Sequence, residues 1–149
     1  MLAINKAIAA ELKVKYSTER RRPDQGPLES MELGVASCTG LSILLIDACR
    51  AVGIPARMAG IVNWSHIPGN HSWVEVWVDG DWRMTEYGDS GFNTEWVIEN
   101  CGLLDTSRWE HKVWASSWQP QGGDFFPMVW TLEEREGPLS VCPEGLAVP

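Results

Sequence analysis

Between Leu41 and Val52, in the stretch "GVASCTGLSILLIDACRAVGIPAR" (residues 34–57), only Ser42, Asp47 and Arg50 interrupt a run of apolar side chains. A helix of that composition has no face to give to water and must be buried nearly all round, which demands partner elements on several sides. Ser37 is placed to cap it, and Gly53 with Pro55 end it. Cys38 therefore falls in the first turn, where unpaired backbone N–H groups and the helix dipole favour negative charge and draw a thiol toward its reactive form.

The partners are legible downstream. "ARMAGIVNW" (56–64) reads as a strand, and "HIPGN" as the loop that follows it. In "HSWVEVWVDGDWRMTEY", Val74, Val76 and Val78 alternate with Trp73, Glu75 and Trp77, and "DGD" turns the chain into a second strand over 82–87. Upstream, residues 2–15 carry a pattern near helical period, and "YSTERRRPDQGPLES" reads as a loop wrapping the domain. A short helix near 94–101 and strands at 112–118 and 126–130 follow, with a Gly- and Pro-rich tail from 137 to 149. At 149 residues the chain reads as one domain, with no internal repeat.

His71 opens the first hairpin strand, 33 residues after Cys38, and can project from the sheet edge toward the helix N-terminus as a base for the thiol. Glu86, 15 residues further on, closes the partner strand and is the candidate to orient the imidazole, with Asp89 as its rival. The Cys38 N–H is the natural donor to an oxyanion, whereas the second donor is open: Gln25 is one candidate, and the anionic Glu32 is unsuited. Nine tryptophans are far above ordinary usage, and Trp64, Trp73 and Trp77 are the candidates to line a substrate groove beside the thiol, set against burial in the core.

A net charge of −8 argues against nucleic acid and anionic membrane as partners, and half of the twelve basic residues (Lys6, Lys13, Lys15, Arg20, Arg21 and Arg22) lie within the first 22 positions. No window approaches a membrane span, and no signal peptide opens the chain. Cys38, Cys49, Cys101 and Cys142 show no metal-ligand spacing, and His66 with His71 and Cys38 makes a poor zinc set, so no metal or cofactor is expected. Cys49 reads as core and His111 as a surface or hydrogen-bonded histidine. A Cys101–Cys142 disulfide depends on export, and the compartment stays open.

Taken together, residues 34–87 resemble the core of the transglutaminase-like superfamily, in which a Gly/Cys motif heads the central helix, "RAVGIPAR" leads into the sheet, and "HSWVEV" with a following Gly-x-Trp strand supplies histidine and acid. Trp114, Ser117, Trp118, Phe126, Pro127 and Trp130 are similar to the pattern of a bacterial subgroup. The resemblance implies an α+β, papain-like fold, with the Cys-bearing central helix packed on an antiparallel sheet. It also implies a Cys38–His71–Glu86 triad, although the family's usual acid is an aspartate before Pro-Thr and here Glu86 precedes Tyr87 and Gly88. The activity implied is thiol-dependent hydrolysis of an amide in a peptide or protein, with or without glycan, through a Cys38 thioester. Transfer to an amine, and a catalytically idle tryptophan-rich binding module, are the alternatives. The localisation and the extent of the whole protein stay open, a domain of an exported bacterial protein with more chain upstream being one context.

Overall fold

A computed structural model describes residues 1–119 and the strand 145–148. The chain begins with helix α1 (Leu2–Leu12), continues through the short strand β1 (Lys15–Tyr16) and helix α2 (Pro27–Leu33), and reaches strand β2 (Val35–Ala36). The central helix α3 (Cys38–Ala51) follows, then strands β3 (Ala56–Ile61), β4 (His71–Val78) and β5 (Asp81–Thr85). Helix α4 (Glu95–Gly102), a single 3-10 turn (Trp109–His111) and strands β6 (Val113–Ser116) and β7 (Gly145–Val148) complete it. Five strands form one antiparallel sheet in the order β5-β4-β3-β6-β7, and β1 pairs with β2 in parallel. The mixed helix and antiparallel-sheet architecture is the α+β, papain-like arrangement expected.

Alternation along β4 divides the core. Val74 and Val76 are fully buried with Ala56 against Leu45, Ile46 and Cys49 of α3. On the opposite face Trp73 packs with Ala59, Ile61, Met84 and Trp64 beneath Val97 of α4. Both sheet faces are therefore covered near its centre, which explains why the strand residues read as apolar on both sides. Asp79 and Gly80, at φ of 55° and 83°, make the two-residue turn that joins β4 to β5. Where β3 and β4 run together, Gly60 is obligatory: a Cβ there would lie 2.6 Å from the His71 carbonyl oxygen.

Three differences from the sequence reading stand out. The segment read as loop over 16–30 runs into α2, which has Pro27 at its first turn and Gly34 in left-handed conformation at its C-cap. The stretch read as a tail contains β7, paired with β6. The strand expected at 126–130, with Phe126, Pro127, Trp130 and Cys142, lies outside the described residues.

Candidate active site

Ser37 caps α3 as expected: its Oγ accepts from the Gly40 N–H at 3.0 Å and donates to the Pro23 carbonyl. The cap fixes the first turn, so the Cys38 N–H points out of the helix end, where no helical carbonyl can reach it. The β1–β2 pairing sets the approach to this turn, with Tyr16 in register with Ala36, two residues before Cys38.

His71 stands at the start of β4, opposite Ile61. Its Nε2 lies 2.6 Å from Glu86 Oε1, just past the end of β5. The other face of the dyad is the Cys38 thiol, which hydrogen-bonds the same ring. With Nε2 engaged by the carboxylate, Nδ1 is the nitrogen left for sulfur. The pair is mostly buried, the His71 and Glu86 side chains being 17% and 27% exposed. Two indoles bracket the imidazole: Trp73 at 5.9 Å, tilted, and Trp96 at 5.6 Å, edge-on.

Burial alone would raise the Cys38 pKa, but hydrogen bonding and charge from His71, the Ser72 backbone N–H and the Thr39 hydroxyl outweigh it and bring the thiol below its ordinary value. Thr39 is itself held by the Ser72 hydroxyl, with the two oxygens 3.0 Å apart. For His71 burial works downward, and the bonds to Cys38 and Glu86 together with their charges win, lifting it to about 9. Both shifts favour a thiolate facing an imidazolium. A cavity of about 440 Å³ opens over this pair, lined among others by Tyr16, Cys38, Asn70, His71 and Asp89.

Of the sequence-predicted site residues, Cys38, His71 and Glu86 come together and Asp89 does not join them. Asp89 lines the cavity, but its carboxylate accepts from the Thr94 hydroxyl at 2.5 Å. Gln25 is fully buried and its amide is spent: Nε2 donates to the Val35 carbonyl at 2.8 Å, and Oε1 accepts from the Arg21 N–H. It is a brace for the approach to α3 and no oxyanion donor. The groove assignment of the tryptophans also needs correction. Trp64 and Trp73 are core, each 3% exposed, because α4 covers their sheet face. Trp77, though exposed, sits at the far end of β4, edge-on to Trp82 at 5.3 Å. None of the three lines the cavity at Cys38. Trp96 was missed, since its place beside His71 depends on how α4 docks and no local pattern signals it.

Elsewhere, His111 Nδ1 bonds the Asn63 carbonyl at 2.8 Å and His66 Nε2 bonds Asn100 Oδ1 at 2.9 Å. No group of three His, Cys, Asp or Glu residues among those described could hold a metal ion. Among the same residues no helix is long and apolar enough to cross a membrane.

A cysteine at a capped helix start, a strand-borne histidine and a carboxylate just past the end of the neighbouring strand are the arrangement of papain-like thiol sites. Residues 2–87 match the transglutaminase-like superfamily, and the chain belongs to it. Among solved structures it is similar to Legionella pneumophila LapG in its calcium-bound form, at TM-score 0.51 and 13% identity over 77% of this chain and 64% of that one. EGTA-treated LapG gives TM-score 0.52 at 12% identity, over 78% and 63% of the two chains. A Cytophaga hutchinsonii protein provisionally described as a cysteine protease shares 25% identity over 58% of this chain and 30% of its own, at TM-score 0.48. The chain thus spans less than two thirds of each of these relatives. No curated protein matches the sequence.

Proposed function

We propose that the protein is a cysteine hydrolase acting on amide bonds of a peptide or protein. The observation that carries this reading is the His71 ring, held by Glu86 at 2.6 Å and drawing the Cys38 thiol beside it below its ordinary pKa. The Cys38 thiolate attacks the amide carbonyl, and the oxyanion collapses as the C–N bond breaks. The His71 imidazolium gives its proton to the departing amine. Water then attacks the thioester while His71 takes its proton, releasing the acid and restoring the thiolate. Glu86 holds the imidazole in the tautomer and orientation both steps need.

The Cys38 N–H supplies one oxyanion donor. In this reading Tyr16, on the cavity wall and carried by the strand that pairs beside Cys38, supplies the second through its hydroxyl. The test measures alkylation of Cys38 by iodoacetamide against pH by peptide mass spectrometry, in the parent and in His71→Ala. Reaction well below pH 8.5, lost in His71→Ala, supports the dyad, whereas a thiol that titrates as an ordinary one in both proteins sinks the reading. Tyr16→Phe should slow acylation by p-nitrophenyl acetate by about tenfold or more and leave iodoacetamide alkylation unchanged, because only acylation passes through an oxyanion. Equal acylation rates remove Tyr16 from the mechanism.

A further inference from the structure

Beside the cavity over Cys38 lies a second of about 450 Å³, and the two share Tyr16, Leu41 and Tyr87 as walls. The second is walled by Ala9, Ala10 and Val14 at the end of α1, and by Lys13 and Lys15. Both lysines are exposed, and neither takes part in an ion pair among the described residues. Among the described residues they are unpaired cations beside an apolar trough, whereas the carboxylates of the adjoining cavity are engaged, Glu86 by His71 and Asp89 by Thr94.

Lys13 carries a second sign. It caps α1 in left-handed conformation, φ 55°, a position where glycine is the unstrained residue. Helix α2 does the same job with Gly34 at φ 69°. A lysine in that conformation carries backbone strain and fixes its side chain on the wall of the trough.

We infer that this trough is a substrate subsite for an acidic peptide segment, its apolar side chains lying against Ala9, Ala10 and Val14 and its carboxylates meeting Lys13 and Lys15. The inference rests on the hydrolase reading for its link to Cys38. The whole-protein charge of −8 predicts the opposite preference, so the local pair of lysines is what the experiment reads.

The probes are alkylating peptides run in both chain directions: acetyl-Glu-Glu-Leu chloromethyl ketone and iodoacetyl-Leu-Glu-Glu amide, each against its lysine counterpart. In the parent the acidic member should label Cys38 about fivefold faster in at least one direction at low salt, the size two exposed ion pairs supply. The advantage should shrink at 1 M salt, where screening is strong, and vanish in Lys13→Gly/Lys15→Gln. Lys13→Gly alone should raise the thermal midpoint while lowering the acidic preference, which a purely structural lysine would not do. Equal rates in both directions, with iodoacetamide still fast at neutral pH, overturn the subsite and leave the dyad standing. If iodoacetamide is slow, the dyad fails instead. Calorimetric binding of acetyl-Leu-Glu-Glu amide against its lysine counterpart to Cys38→Ala then decides the trough by itself, with no acidic preference counting against it.

Discussion

Helix α3 carries two cysteines with opposite fates. Cys38, in the first turn, is driven toward thiolate by His71, Ser72 and Thr39 despite burial. Cys49, near the last turn, is fully buried between Leu45, Ala56 and Val76, and burial pushes its thiol up. The residue type and the helix are the same, so environment alone separates a thiol drawn toward thiolate from a packing group. What Cys38 has is the capped helix end and a histidine whose own proton is held by Glu86. Cys49 has apolar neighbours and nothing to stabilise a charge.

That contrast can be broken from either end. The largest effect belongs to His71→Ala, which should lower amide cleavage by about 10²- to 10⁴-fold and make Cys38 titrate like an ordinary thiol, as followed by turnover and by alkylation against pH. At the other end, Leu45→Ala should cost about 3 kcal/mol in denaturant unfolding by opening a cavity beside Cys49, while Cys38 alkylation in the folded protein stays unchanged. In the parent at pH 7, Cys38 should be alkylated more than about tenfold faster than Cys49, the ratio read from peptide masses.

The pH dependence follows from the two shifts. Cys38 becomes thiolate once pH rises through its lowered value, and His71 stays protonated until about 9. The ion pair should therefore persist between those limits, whereas iodoacetamide reactivity rises through the lower one and stays high for as long as the thiolate does. Below the first limit the thiol is protonated. Above about 9 the imidazole is neutral and general-acid help to a leaving amine is lost, so amide cleavage falls there although the thiolate remains. The smallest effect is Ser37→Ala, which should cost about 1 kcal/mol through loss of the cap.

The dyad was readable because its parts are local: a helix cap, a strand start, and a hairpin whose Asp79-Gly80 turn fixes where Glu86 falls. Glu86 and Asp89 were indistinguishable in sequence, since choosing between them requires knowing that Thr94 takes Asp89. The tryptophans misled because strand alternation says which side chains share a face and not what covers it. Trp73 and Trp64 lie under α4, while Trp77 extends past that cover. Gln25 misled for a related reason, as a polar residue in a Pro-flanked loop gives no sign that its amide is sealed inside against Val35 and Ser30. Helix α2 did leave signals, Pro27 at its start and Gly34 at its end, but seven residues give too little periodicity to outweigh the surrounding loop chemistry.

Gly60 has a consequence that reaches beyond backbone fit. A methyl group there would press on the His71 carbonyl from 2.6 Å, so β3 and β4 could stay paired only by moving apart at the point where the imidazole is anchored. Since that imidazole must meet a carboxylate on one nitrogen and a sulfur across the other, the interstrand spacing acts as a mechanical tolerance on the chemistry. Substitution at this unreactive position should shift the pH dependence of Cys38 alkylation before it unfolds the sheet.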